Sequence, residues 1–334
     1  VSGGARVLAS GSVTYGDGGM LAISAGRAGS VAENPVLAGV LGGGLVLGGE
    51  ILGHSGGRGG ALSLGAPRFT IGGVDPRDGE LFLGEGFFRS GGFRSYSINA
   101  FGRVGKSGPI IRVADGARLE TGAVSRRLDV LDGEMAWREV TMPEGLRSAG
   151  SLELHADGSY DAFTRLPIVR GDVVIGAGSM LRVEPGGTVV LGGDTVTVLG
   201  ALEASVLDLP VGSGREFSGV VLASLPGRSL VQTRVDSDGG TITFAGAQML
   251  LTDGIVRGTA GGPSARGGSF TASSGLYFGI GAVVNPTALD VTLEVAQAQR
   301  RVFVASSEVV GRVMVDGSGA PLSAFSGLSV SGFM

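Results

Sequence analysis

Glycine accounts for 65 of the 334 residues, and the glycines separate short runs of Val, Ile, Leu and Thr that alternate with small polar residues. Such a glycine content without a Gly-X-Y repeat is by itself typical of a disordered chain. However, 43% of the residues are hydrophobic and only 17% are charged, which is the opposite of the balance that prevents folding. Because glycine adopts positive φ angles without a Cβ clash, the sequence predicts many short strands joined by glycine corners.

The strand signal is clearest in residues 173–198, where short apolar runs alternate with glycine-rich turns and strands recur about every eight residues. Hairpins in a meander or a sandwich would give the same spacing, but the runs lack the polar outer face of an antiparallel sandwich. Residues 111–119 and 180–189 are also similar, and each predicts a strand, an acidic-Gly corner and a second strand. We therefore predict an all-β fold, a parallel β-helix, in which each turn of the chain adds one rung to a solenoid.

The predicted solenoid is a single elongated domain that spans residues 1–334. At about 20 residues per rung it would have roughly 13 to 16 rungs, and at about 4.8 Å between strands it would be on the order of 60 to 75 Å long. The segment 123–144, which contains Trp137, alternates weakly, and we predict a loop or a short helical insertion there. Residues 1–4 show neither an initiator Met nor a leader pattern, so we expect a fragment of a longer polypeptide.

Charge and cysteine content exclude several classes of function. The net charge is −4, and Lys106 is the only lysine, so nothing electrostatic favours nucleic acid or an anionic membrane as a partner. The chain contains no cysteine, which excludes a disulfide framework and thiolate metal sites. We predict no cofactor and no nucleic-acid partner.

Two segments of the chain resemble a known family. Residues 85–98 (EGFFRSGGFRSYSI) and 111–120 (IRVADGARLE) are similar to the interior of large filamentous haemagglutinin-like exoproteins of Gram-negative bacteria. The resemblance implies a right-handed parallel β-helix, which agrees with the handedness preference of parallel crossovers. It also implies two-partner secretion, a secreted or cell-surface location, and an outer-membrane transporter that acts on the parent protein.

The fold and the resemblance together predict a structural or adhesive segment whose function lies in its extended shape and outer loops. Expected partners are other copies of the chain, adjacent segments of the parent protein, and host or environmental glycans or surfaces. The end rungs of a β-helix carry open strand edges, which invite one copy to stack on another. We therefore also expect filaments formed by end-to-end stacking.

An acid–base cluster at His155, Asp157 and Asp161 supports an alternative function. Polysaccharide-cleaving enzymes use neighbouring carboxylates as acid and base, so these residues are the candidates for a polysaccharide lyase or a glycoside hydrolase on the same scaffold. Asp157-Gly158 is also a common turn sequence, in which the Asp side chain caps the backbone. We expect the turn, and hence a protein that is not an enzyme.

Two further motifs suggest ligands. Asp236 and Asp238 have a spacing that suits Ca²⁺, but the Gly-Gly-x-Gly-x-Asp repeat of calcium β-rolls is missing, so we expect a turn and no metal. Residues 100–107 fit the phosphate-loop pattern except that Ala100 replaces the first glycine. A phosphate loop must be followed by a helix; the apolar residues 110–113 predict a strand instead.

Aromatic residues are concentrated in one short part of the chain: Phe87, Phe88, Phe93, Tyr96 and Phe101. They could form an exposed surface that stacks on sugars or on a partner, or an aromatic cluster inside the core. Tyr96, Ile98 and Ala100 lie at every second position of an alternating run. They therefore share one face of the predicted strand, and the apolar character of this face favours the core.

Overall fold

The structure is a computed structural model that describes most of the chain before residue 205 and several shorter ranges after it. The described residues are 6–8, 16–25, 27–28, 41–42, 45–55, 58–74, 79–102, 108–122, 125–131, 134–140, 149–160, 167–184, 186–204, 238–252, 254–258, 267–274, 303–304 and 325–332.

The described residues form 25 strands and one short helix. The strands are β1 Arg6–Leu8, β2 Met20–Ser24, β3 Arg27–Ala28, β4 Leu41–Gly42, β5 Glu50–Leu52, β6 Gly60–Ala66, β7 Phe69–Ile71, β8 Leu81–Leu83, β9 Phe93–Ala100, β10 Ile111–Val113, β11 Arg118–Glu120, β12 Ser125–Leu131, β13 Glu134–Val140, β14 Ser151–Ala156, β15 Ser159–Tyr160, β16 Pro167–Val169, β17 Asp172–Ile175, β18 Met180–Arg182, β19 Thr188–Val198, β20 Ala201–Glu203, β21 Thr241–Thr252, β22 Ile255–Arg257, β23 Gly268–Ser274, β24 Phe303–Val304 and β25 Phe325–Gly332. The helix, α1, covers Phe87–Ser90.

Most of these strands are parallel, and the longest series of neighbours contains eight of them. Its order is β2-β6-β9-β14-β19-β21-β23-β25. Along β14, buried Leu152 and Leu154 alternate with outward Ser151, Glu153 and His155. This alternation follows from the two-residue period of a strand, so β14 has one apolar face and one polar face.

The parallel sheet is strongly curled, because some strands pair with one neighbour along their first half and with a different neighbour along their second half. In β19, residues 188–192 pair with β14, whereas residues 195–198 pair with β17. From the second half of β19, a second branch of the sheet runs through β17, β10, β7 and β8. A separate four-stranded parallel sheet has the order β11-β18-β20-β22.

Successive passes of the chain occupy the same three positions. One pass runs through β14, β17 and β18, and the next runs through the two halves of β19 and then β20. The apolar side chains from all three positions belong to one hydrophobic core. In the four-stranded sheet, for example, the core column consists of Leu119, Leu181, Leu202 and Val256, all at most 2% exposed. The described fold is therefore all-β, with a mostly parallel sheet and almost no helix.

The described part of the chain contains fewer levels than the predicted 13 to 16 rungs, since the longest parallel series has eight strands. The prediction assumed a short and constant repeat. In the structure, Ser95 pairs with Ser151, and Ser151 pairs with Thr188. These partners are tens of residues apart in sequence, because the connections between the strands of one level are long.

One of these connections corrects the prediction for residues 123–144. β12 and β13 form an antiparallel pair that runs from Ser125 opposite Val140 to Leu131 opposite Glu134. The segment does depart from the parallel sheets, but its described residues form a hairpin rather than a loop or a helical insertion. The pairing places Leu128 opposite Trp137.

The similar segments 111–119 and 180–189 both contain the two predicted strands, but they are not stacked strand for strand. Residues 111–119 match 180–189 in sequence, but β10 pairs with β17 and β11 pairs with β18. The corner 114–117 therefore lies beside the corner 176–179. The Gly116 N–H donates to the Ala177 carbonyl oxygen at 2.9 Å, and the Ala177 N–H donates to the Asp115 carboxylate at 3.0 Å. The register therefore follows the hydrogen bonds between the two corners and not the similarity of the strand residues.

The aromatic residues lie in the core, as predicted. Phe88, Phe93 and Tyr96 are at most 1% exposed and Phe101 is 5% exposed, whereas Phe87 is half-buried. The ring of Tyr96 makes edge contacts with Phe88 and Phe93 at centroid distances of 5.1 and 6.0 Å. The cluster fills the space under α1.

Candidate functional site

The densest group of polar side chains lies where the chain passes from the first strand position to the second. We call it the polar corner, and its members are His155, Asp157, Arg170, Asp172 and Asp194. His155 is near the end of β14, Arg170 and Asp172 are at the start of β17, and Asp194 is in the middle of β19. The parallel stacking of these strands brings the group together.

His155 and Asp157 form the solvent-facing part of the polar corner. His155 Nε2 lies 2.9 Å from Asp157 Oδ1, and the two side chains are 55% and 45% exposed. The imidazole lies over Gly192, where an added Cβ would be 2.6 Å from Nδ1. The backbone N–H of Asp157 donates to the Ala100 carbonyl at 2.7 Å, which fixes the start of the turn. Asp161, the third candidate, lies outside the described residues.

Asp194 has a structural role at the polar corner. Its residue is 6% exposed, and its carboxylate accepts a hydrogen bond from the Gly171 N–H at 2.7 Å. Its own N–H donates to the Gly171 carbonyl at 2.6 Å. A Cβ at Gly158 would lie 1.9 Å from the Asp194 carboxylate, so the close contact requires glycine. Asp194 therefore joins two levels of the sheet at their corner.

Asp172 is a buried carboxyl group beside a partly buried arginine. Arg170 Nε lies 3.4 Å from Asp172 Oδ1, and the Arg170 guanidinium donates to Thr195 Oγ1 at 2.6 Å. Desolvation by burial raises the pKa of Asp172 above its ordinary value, although the nearby Arg170 charge and a hydrogen bond to Thr195 oppose this shift. This carboxyl group faces the protein rather than solvent.

The outward face of β14 adds a carboxylate that the sequence analysis missed. Glu153 is exposed and lies two positions before His155, so Glu153, His155 and Asp157 follow one another along the surface. Four residues of strand separate Glu153 from Asp157 by about 13 Å at the backbone. Glycosidases need their two carboxyl groups roughly 5 to 9.5 Å apart. At the backbone, Glu153 and Asp157 are farther apart than this range, and the contact pair on this surface is His155–Asp157.

A second polar feature is an alternating series of charges along the four-stranded sheet, which we call the ion ladder. Glu120, Arg182, Glu203 and Arg257 occupy aligned positions on β11, β18, β20 and β22. Arg182 lies 3.5 Å from Glu120 and 2.6 Å from Glu203, and Arg257 lies 3.0 Å from Glu203. The ion ladder ties four levels together, so these charges serve the scaffold.

Within the described residues, the remaining ligand candidates do not form a site. Asp236 lies outside the described residues, and Asp238 is exposed. Among the residues that the structure describes, no group of three or more His, Asp or Glu side chains could hold a metal ion. Residues 103–107 of the phosphate-loop-like segment are also outside the described ranges, and the strand β10 follows that segment. A helix that could complete a phosphate site does not follow it.

Comparison with protein-family models, with curated proteins and with solved structures found no match for this chain. Within the described ranges, none of the helical structure is long and apolar enough to cross a membrane. Evidence for function therefore comes from the residues of the chain itself.

Proposed function

We propose that the chain is a non-catalytic structural and adhesive segment of a secreted or surface-exposed protein of a Gram-negative bacterium, built as a right-handed parallel β-helix. The observation that carries this proposal is the parallel series of eight strands, in which buried apolar side chains alternate with outward polar ones along β14. Architectures in which each level contacts only its neighbours provide long, stiff surfaces for binding.

Support for the β-helix comes from the three recurring strand positions and from the in-register core columns. Parallel strands joined by crossovers are right-handed in almost all proteins, and we assign that hand to this chain. We propose the filamentous haemagglutinin-like family as the class of exoprotein, because the segments 85–98 and 111–120 resemble it. In the structure these segments form α1, most of β9, β10 and β11, which lie within the parallel stack.

A row of hydroxyl side chains on the outside of the stack supports an adhesive role. Aligned half-buried hydroxyl side chains follow the stack from level to level: Ser95, Ser151, Thr188, Thr241 and Ser269. The hydroxyl oxygens of Ser95 and Ser151 are 2.7 Å apart, and those of Thr241 and Ser269 are 3.0 Å apart. Each hydroxyl group offers one donor and two acceptor positions, so the row retains hydrogen-bonding capacity for a glycan or another hydroxylated surface.

The secreted location is tested by labelling intact cells of the source bacterium with an antibody against the chain. We expect label on the cell surface or in the culture medium. An antibody against an internal marker is the control, and it should not label the intact cells. Label that appears only after the cells are opened would overturn the proposal.

Self-assembly is tested separately on the purified chain by electron microscopy and light scattering. Open strand edges at the ends of a parallel stack favour end-to-end association, so we expect linear assemblies whose length increases with protein concentration. Short monodisperse monomers at all concentrations would contradict filament formation, but they would leave the adhesive role to the surface-labelling experiment.

A polysaccharide-cleaving enzyme is the second candidate, and the solvent-facing His155–Asp157 pair is the observation that favours it. The test is a panel of acidic and neutral polysaccharides incubated with the chain and with the Asp157→Asn variant. Cleavage that is lost in the variant would establish the enzyme. Absence of cleavage across the panel is the result that we expect from a non-catalytic scaffold.

A further inference from the structure

Four polar side chains lie close together on the outer face of β6, β9 and β14. They are Ser63, Ser97, Asn99 and Glu153, and we call them the amide patch. Ser63, Ser97 and Glu153 are register partners on the three strands, and Asn99 lies two positions after Ser97 on the same face. The two strand spacings from β6 to β14 give the patch a length of about 10 Å. Its members are half-buried, except Glu153, which is exposed.

Hydrogen bonds inside the amide patch determine which groups it presents to a ligand. Asn99 Nδ2 donates to Ser97 Oγ at 3.0 Å and to Ser63 Oγ at 3.4 Å. These contacts use the two donors of the amide, so its carbonyl oxygen is left as an acceptor. Each serine accepts one of the bonds and keeps its own O–H as a donor. The patch therefore offers one amide acceptor and two hydroxyl donors.

Glu153 adds a charged acceptor to the amide patch. Its register partners are Ser97 on β9 and Val190 on β19, so neither neighbouring strand places an opposite charge in register beside it. Hydrogen bonds to a carboxylate are roughly twice as strong as those between neutral groups. Glu153 is therefore the strongest acceptor that the patch offers.

The neighbouring imidazole leaves Asn99 accessible. His155 is the register partner of Asn99, but its ring lies over Gly192 of β19, and β19 is on the side of β14 away from β9. His155 Nε2 also contacts Asp157 at 2.9 Å. The imidazole therefore does not cover Asn99, and a ligand on the outer face reaches the amide and Glu153 together.

We propose that the amide patch binds the hydroxyl groups of a neutral oligosaccharide. This inference rests on the adhesive role proposed above and names the class of ligand. A sugar hydroxyl group is both a donor and an acceptor, so neighbouring hydroxyl groups accept from the two serines and donate to Asn99 Oδ1 and to Glu153. An acidic sugar would bring a second carboxylate close to Glu153, and the two like charges would repel each other.

The ligand class is tested with three hexasaccharides, of which cellohexaose and mannohexaose are neutral and hexagalacturonate is acidic. Binding to the whole, isotopically labelled chain is followed by NMR titration. We expect a neutral hexasaccharide to bind at millimolar concentration, and hexagalacturonate to bind about threefold more weakly, as exposed charges typically allow. Failure of both neutral probes, or tighter binding of hexagalacturonate, would overturn the proposal. If intact cells are labelled but neither neutral probe binds, the ligand class fails and the surface location stands.

The position of the site is tested by removing the amide. Asn99→Ala should weaken binding of the neutral hexasaccharide about fivefold, as the loss of one hydrogen bond allows, and the side-chain amide signal of Asn99 should shift when the natural chain is titrated. Thr243→Ala is the matched control, because Thr243 is also half-buried and lies in the same row of register partners, two levels beyond Glu153. Equal binding by both variants would place the ligand elsewhere.

The Glu153→Gln variant keeps the test independent of any folding defect caused by Ala at position 99. Glu153 is exposed, and the amide has nearly the same shape as the carboxylate, so circular dichroism should remain unchanged. We expect the affinities for the neutral hexasaccharide and for hexagalacturonate to become equal within about twofold, since the charge that separates them is gone. An undiminished preference for the neutral probe in this variant would contradict the assigned site.

Discussion

Individual glycines set the corners of this fold through their backbone angles. Gly116 has φ of +72°, and an added Cβ there would meet nothing within 4 Å, so the need for glycine comes from the backbone alone. An L-residue in this left-handed region costs about 1 to 2 kcal/mol. We predict that Gly116→Ala lowers the free energy of unfolding by that amount, measured by urea denaturation.

Gly122 provides the matched control, because its added Cβ also meets nothing within 4 Å and its φ is not in the left-handed region. Gly122→Ala should change the free energy of unfolding by less than about 0.5 kcal/mol. Equal losses in the two variants would show that the positive φ of Gly116 is not what requires glycine.

A buried carboxyl group gives the stability of the protein a specific pH dependence. Burial raises the folded-state pKa of Asp172 above its ordinary value of 3.8, so the folded chain binds more protons than the unfolded chain between the two pKa values. The stabilising contribution of this group is therefore complete below the unfolded pKa, and it is lost as the pH rises through the folded pKa.

Asp172→Asn removes this contribution. We predict that the free energy of unfolding of the variant minus that of the natural chain increases as the pH is raised from about 3.5 to about 7, because only the natural chain must ionise a buried carboxyl group. Urea denaturation at a series of pH values measures the difference. A difference that stays constant, or that falls with rising pH, would show that Asp172 does not titrate with a raised pKa.

Between elements, the ion ladder links the four strands of one sheet through alternating charges. The Glu203 side chain is 7% exposed and contacts Arg182 and Arg257. Removing its charge leaves two arginines side by side, and hydrogen bonds to charged groups are worth about 1.5 to 3 kcal/mol. We predict that Glu203→Gln lowers the free energy of unfolding by about 2 kcal/mol, as measured by urea denaturation.

Glu120→Gln is the control within the same ladder. The Glu120 side chain is 36% exposed, and exposed ion pairs contribute less than about 1 kcal/mol. High salt should weaken the effect at Glu120 more than the effect at Glu203. A larger loss at Glu120 than at Glu203 would contradict the assigned burial.

The elements themselves were predictable wherever the local pattern sufficed. The two-residue alternation of Tyr96, Ile98 and Ala100 correctly predicted a strand with these residues in the core. The hairpin of β12 and β13 was missed, because charged residues on both strands obscure the alternation in residues 123–144. The similarity of residues 111–119 to 180–189 predicted their strands but carries no information on register, because corner hydrogen bonds set the register and no sequence comparison shows them.

The candidate site was only partly predictable for the same reason. His155 and Asp157 are close in sequence, and they are in contact in the structure. Asp172 and Asp194 join them through strand stacking, and Glu203 meets Arg257 across two different strands. One sequence does not reveal which level follows which, so lateral pairs such as these are visible only in the structure. Asp161 and Asp236 stay untested predictions, because they lie outside the described residues.

For the whole molecule, the central feature is one parallel stack that continues from β2 to β25. Aligned positions repeat through it, from Ala22 and Ser63 near one end to Thr243 and Thr271 near the other. Each level adds one strand spacing of about 4.8 Å. A stiff surface of this kind is what the proposed adhesive segment would need, and a sandwich, which divides its strands between two sheets, would not produce the same stepwise distances.

Pulsed electron paramagnetic resonance between pairs of spin labels measures the distances between levels of the stack directly. The labels can be placed at will, because the chain has no cysteine and introduced cysteines are the only labelling sites. The pairs Ser63–Thr243, Ser63–Thr271 and Ala22–Thr271 are separated by four, five and six levels. Their backbone distances should be about 19, 24 and 29 Å. Narrow distributions that increase by one strand spacing from pair to pair are the predicted result, whereas distances that do not increase in this order would contradict a continuous parallel stack.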